Sequence, residues 1–193
     1  MNKTISLILL LLIGFGVCDA AADNSVKTSF ATVTLPDGWY LIKAPEKESK
    51  EQVTFSDVTI SQKKCMLVGP KSAQILLARY DTGKTADMDA VKAYIERMQE
   101  DNNRERISNL KWEFDESRDM WTGTDIKITA SNSEEAEPDF KVARKDVIHL
   151  LRNGKYIDVF WVHLTFTAVS NSKISGQIDS IFNSWTPKGI KRK

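Results

Sequence analysis

Two cysteines and two histidines are all that the 193 residues contain. A disulfide-stapled scaffold is excluded: Cys18 lies in an N-terminal segment that reads as cleaved, which leaves Cys65 no intramolecular partner. In Lys63-Lys64-Cys65-Met66-Leu67-Val68 that thiol starts an apolar run and reads as a small buried hydrophobe rather than a nucleophile. The chain has no His-x-x-x-His, Cys-x-x-Cys or Gly-x-Ser-x-Gly, so neither a zinc site nor a hydrolase elbow is implied. Charge is balanced, 27 Lys and Arg against 26 Asp and Glu, and no broad field for nucleic acid or an anionic membrane follows. After the N-terminal segment no apolar run approaches the roughly 20 residues that a membrane span takes.

What is present begins with that segment. Lys3, the apolar run Ile5 to Val17 and Ala20-Ala21-Ala22 form the three parts of a secretory signal. Residues 1–22 are therefore expected to be a cleaved signal peptide and residues 23–193 a single domain, periplasmic or secreted. The alternative is a membrane-anchored lipoprotein acylated at Cys18, for which Val17 is an unsuitable preceding residue.

From Asp23 to Thr28 the chain is polar and reads as loose. Strands are expected at Phe30–Leu35, at Trp39–Ile42 after the turn Pro36-Asp37-Gly38, at Val53–Ile60, at Cys65–Val68 and at Ser72–Tyr80. Ala44 to Gln52, with its charges and Pro45, reads as a loop. The period then changes. Met88, Val91, Tyr94, Ile95 and Met98 form an apolar stripe, which predicts a helix over Asp87–Asp101 with Asp87 as N-cap. Leu110–Phe114 and Met120–Ala130 read as strands, and Ser131–Asp139 as an acidic loop. A second helix is expected at Ser172–Trp185, on the stripe Ile174, Ile178, Ile181, Phe182 and Trp185. Lys188, Lys191, Arg192 and Lys193 read as a frayed end.

The centre of this pattern is Val142–Ala168, where Asn153-Gly154 separates two β-prone runs and signals a hairpin. The expected register sets Leu151 opposite Tyr156, His149 opposite Asp158 and Val147 opposite Phe160, with His163 opposite Arg144. Alternation puts Val147, Leu151, Tyr156 and Phe160 on one face, and Ile148, Leu150, Ile157, Val159 and Trp161 on the other. A hairpin apolar on both sides belongs in the middle of a sheet covered on both sides. The expected fold is α+β, a mostly antiparallel sheet of about seven strands flanked by two amphipathic helices.

Few residues suggest chemistry. His149 facing Asp158 could orient an imidazole, but no nucleophile or metal motif accompanies the pair, so it reads as structural. Gly83-Lys84-Thr85 lacks the earlier glycine of a phosphate loop and reads as a turn. The acidic stretch Glu134 to Asp139 lacks calcium-loop spacing. Neither a metal nor another cofactor is implied. Of five tryptophans, Trp39 and Trp121 are the ones expected to show a face to solvent, where aromatics bind partners or sugars.

Taken in order, Leu35-Pro36-Asp37-Gly38-Trp39, the helix Asp87–Asp101, the paired strands about Asn153-Gly154 and the closing Ser180-Ile181-Phe182-Asn183-Ser184-Trp185 resemble the PsbP-like and DcrB-like extracytoplasmic proteins. That resemblance implies a PsbP-like α/β/α sandwich with an accessory or assembly role through protein contacts and no catalytic residues to carry over. The expected function is non-catalytic: a secreted or periplasmic module contacting an envelope or secreted protein. The alternative is a small-molecule or cell-wall glycan binder that uses the exposed aromatics Trp39 and Trp121; His149 and Asp158 complete the candidate binding residues.

Overall fold

A computed structural model describes residues 24–42, 51–55, 58–101, 110–131 and 139–190. The proposed signal peptide with Cys18, the acidic residues Glu134, Glu135 and Glu137, and the basic tail 191–193 lie outside the described residues.

In chain order the strands are β1 (Ser25–Lys27), β2 (Ala31–Thr34), β3 (Tyr40–Ile42), β4 (Glu51–Phe55), β5 (Val58–Val68) and β6 (Gln74–Asp81). Helix α1 (Met88–Asp101) follows, then β7 (Lys111–Asp115), β8 (Met120–Ser131), β9 (Asp139–Asn153) and β10 (Tyr156–Thr165). The short α2 (Phe166–Val169), α3 (Ser172–Ser184) and β11 (Thr186–Pro187) close the chain. All pairings are antiparallel, and the main sheet runs β3-β5-β6-β10-β9-β8-β7, with β4 on the first half of β5. This is the expected α+β architecture. Asp87 caps α1, its Oδ1 accepting from the Ala90 N–H at 2.9 Å, and Asn171 caps α3 through Ile174 at 3.2 Å.

Hairpin β9–β10 occupies the middle of the sheet and is buried on both faces. One face packs Phe160, Val162 and Leu164 under α3 and the small sheet; the other packs Ile148, Leu150, Ile157 and Val159 under the α1 stripe of Val91, Tyr94 and Ile95.

Its register differs from the expected one by two residues: Asn153 pairs with Tyr156, Leu151 with Asp158, His149 with Phe160 and Asp146 with His163. Gly154 takes the turn at φ +62°, and Asn153 stays in the ladder because its amide is needed there as a buried donor to Asp158 at 2.7 Å. A slip of two preserves every side chain's face, which is why the two-sided pattern survives while each partner changes.

Other differences are local. Val53–Ile60 is not one strand but the end of the β4–β5 hairpin, Phe55 pairing with Val58, and Cys65–Val68 is the last part of β5. Residues 25–27 are not loose. They form β1, which joins β2 and β11 in a second, three-stranded sheet. Lys188 is not frayed, because its N–H donates to the Phe30 carbonyl at 2.8 Å.

Candidate functional site

His149 and Asp158 share a face but do not meet. His149 Nδ1 lies 3.0 Å from the Thr122 hydroxyl, and its ring stacks on Phe182 with centroids 4.3 Å apart. Burial, with a smaller push from the Arg118 charge, lowers its pKa to about 4, so the ring is neutral at pH 7.

Asp158, only 1 % exposed, is held by Arg79 in a fork, Nε to Oδ1 at 2.6 Å and Nη2 to Oδ2 at 2.8 Å. The Asn153 amide donates to Oδ2, and both Arg79 and Asn153 also donate to the Lys188 carbonyl, at 2.7 and 3.0 Å. Both carboxylate oxygens are used in tying β6, the β9–β10 hairpin and the C-terminal strand segment together. This geometry is that of a structural lock.

The register brings together a different carboxylate and imidazole. His163 Nδ1 lies 2.8 Å from Asp146 Oδ1, which also accepts from Trp161 Nε1 at 2.9 Å. An ionised carboxylate only accepts, so Nδ1 carries the hydrogen. Asp125 stands directly across from Asp146 on β8, and Arg144 bridges them, Nη2 3.0 Å from Asp125 Oδ2 and Nε 2.9 Å from Asp146 Oδ2. Like charges facing across a ladder repel, and the guanidinium removes that cost. The sequence pattern does not reveal this cluster, because its members meet only in this register. Once Asn153 is placed in the strand, His163 falls opposite Asp146. Among the described residues no hydroxyl or thiol hydrogen-bonds His163, and none gather as three or more metal-capable His, Cys, Asp or Glu side chains.

The tryptophans divide. Trp39 is 6 % exposed, within the core beneath α3, and its Nε1 donates to Gln177 Oε1 at 3.1 Å. The expectation of a solvent-facing Trp39 is therefore corrected. The turn before it swings the ring over Gly69, where a Cβ would stand 2.4 Å from the indole, so the sequence Gly69-Pro70 provides the floor for Trp39. Trp121, on β8, is half-buried. Its ring meets Phe114 on the neighbouring strand at 4.8 Å, and Lys92 Nζ sits 3.0 Å from the ring centroid. Burial is the largest influence on the Lys92 ammonium and lowers its pKa despite Asp89 and Glu96. Beside them Trp112 lies over Gly123, where a Cβ would be 2.7 Å from the ring, and donates to Glu96 at 3.0 Å. Phe114 is 44 % exposed. Trp112, Phe114, Trp121 and Lys92 thus form an aromatic patch where α1 meets the β7 end of the sheet. Gly123, a glycine inside a strand pattern, is the signal that could have located it.

Gly83-Lys84-Thr85 forms the turn from β6 to α1. Gly83 has φ +104°, and its N–H donates to Asp81 Oδ1 at 3.0 Å. Asp81 also pairs with Lys155 at 2.9 Å, and the open depression here is lined by Thr59, Ser61, Asp81, Gly83, Lys84 and Lys155. With its amide spent on a carboxylate, the turn offers no phosphate cradle.

Cys65 packs against the core under α3, and burial pushes its thiol up to about 12. At pH 8 the folded protein should resist maleimide at this position, with stoichiometric labelling only in denaturant, as peptide mapping would show. Rapid labelling of the folded form would contradict this environment.

Compared with models of protein families the chain matches none, and no curated protein matches it.

Proposed function

We propose that this chain is a non-catalytic accessory module that works outside the cytoplasm, in the periplasm or secreted, by contacting another protein. This is the role that the PsbP-like and DcrB-like resemblance implies. The observation that carries the reading is the aromatic patch on β7 and β8. Phe114 keeps 44 % of its surface open on an end strand, where aromatic side chains anchor protein contacts. The buried charges support it from the other side, since both Asp158 oxygens accept from Arg79 and Asn153, Asp146 Oδ1 accepts from Trp161 with His163 Nδ1 beside it, and Asp125 Oδ2 accepts from Arg144.

A photo-crosslinking residue placed at Phe114 should give a discrete protein adduct in cells, and the same probe at exposed Lys173 on α3 should not. Equal adducts at both positions, or none at either, would overturn the proposal. The glycan-binding alternative rests on Trp121 with Phe114, since Trp39 is buried. It is disfavoured because Lys92 and Phe114 already engage the Trp121 ring. A tryptophan-fluorescence response to cell-wall fragments would revive it.

A further inference from the structure

Strand β7 ends the sheet. It pairs with β8 on one side, and among the described residues no strand pairs with its other edge. Its side chains alternate, with Trp112 and Phe114 on the α1 face alongside Leu110, and Lys111 and Glu113 on the opposite face. Lys111 and Glu113 are exposed and make no ion pair among the described residues. We propose that the outer edge of β7 binds a second copy of this chain, the two β7 strands pairing antiparallel about Trp112. This rests on the reading above that the edge is a protein contact.

The residues select both partner and register. Turning Leu110-Lys111-Trp112-Glu113-Phe114 end for end about Trp112 sets Leu110 opposite Phe114 and Trp112 opposite its copy on one face. On the other face Lys111 stands opposite Glu113 at two symmetric rungs. Apolar meets apolar and plus meets minus at every rung. Moving the centre to Glu113 would set that carboxylate against its own copy, and moving it to Phe114 would set Glu113 against Asp115. An end strand charged with one sign repels copies of itself, whereas this one alternates sign about its middle. The two-fold axis stands perpendicular to the sheet, so both α1 helices lie on the same side and the contact closes as a dimer.

The test is sedimentation velocity of the full chain from low micromolar to near-millimolar concentration. The unsubstituted protein should associate to a dimer. Glu113→Lys and Lys111→Glu each turn both charge rungs repulsive and should each weaken the dimer by about tenfold or more. The double substitution, which swaps the charges, should restore it. The two single variants mixed together should form a heterodimer, since each then supplies the sign the other lacks. Both positions are exposed, so folding is not at issue, and circular dichroism of each variant checks this. A protein that stays monomeric throughout, or a dimer indifferent to the charge changes, overturns the proposal. If the protein is monomeric while a probe at Phe114 still captures another polypeptide, the edge takes a heterologous strand and only the second copy is excluded. Failure of both removes the contact reading as well.

Discussion

Replacing His149 with Phe should flatten the pH dependence of stability between pH 7 and pH 4.5, where the unsubstituted protein weakens. In the unfolded chain an imidazole takes up its proton near pH 6.5. In the fold, stacked on Phe182 and half-buried beneath α3, His149 takes it up only near 4. The folded pKa is depressed, so the unfolded state binds more protons throughout that window. Stability is therefore fully present above about pH 6.5 and declines as pH falls toward 4. At about 1.4 kcal/mol per pH unit the loss reaches about 2 kcal/mol by pH 5, which for a domain of this size lowers the melting midpoint by about 4–8 °C. Carboxylates act in a different window. Burial alone would raise the pKa of Asp81, but its hydrogen bonds from Lys155 and Gly83 lower it. The stability it contributes persists above about pH 4 and is lost below that. The two contributions are thus separable in urea melts stepped through pH. An unchanged slope between pH 6.5 and 4.5 in the His149→Phe protein would show that another group causes the decline.

Removing Arg79 should cost more than any exposed charge change, about 3–5 kcal/mol, because it leaves a carboxylate buried with only the Asn153 amide beside it. The loss has a second component, since the Arg79 Nη2 also holds the Lys188 carbonyl and through it the β11 segment. Arg79→Lys should recover only part of the stability, as an ammonium cannot reproduce the fork. Arg79→Leu combined with Asp158→Leu should cost less than the sum of the two single changes, because the uncompensated charge disappears with its partner. Equilibrium denaturation of the four proteins measures this coupling. A single-variant cost below about 1 kcal/mol would mean that water reaches the pair.

Both sites show where sequence reasoning stops. Alternating Val147, Ile148, Leu150 and Leu151 against Ile157, Val159 and Phe160 identifies a hairpin sheathed on both sides, and the structure has it. The same pattern is blind to a slip of two residues, which leaves every face unchanged. The partners of His149, Asp158 and His163 all depended on that slip. Trp39 likewise follows a turn that would suit an exposed ring, and only the distant Gly69 and Gln177 make room for it and satisfy its N–H. The small sheet of β1, β2 and β11 was illegible because its pairings are short and join the two ends of the described chain.

By itself, the order of residues determined most strands of the main sheet, the amphipathic helices α1 and α3, and that the central ribbon is greasy on both sides. These are local properties, set by periods of two and of about 3.6 residues that any stretch carries with it. Tertiary structure decided which charges are neutralised, which imidazole faces a carboxylate and which aromatic rings remain outside. Those outcomes turn on contacts between residues far apart in the chain, where one buried hydrogen bond from Asn153 outweighs what the turn residues alone would choose.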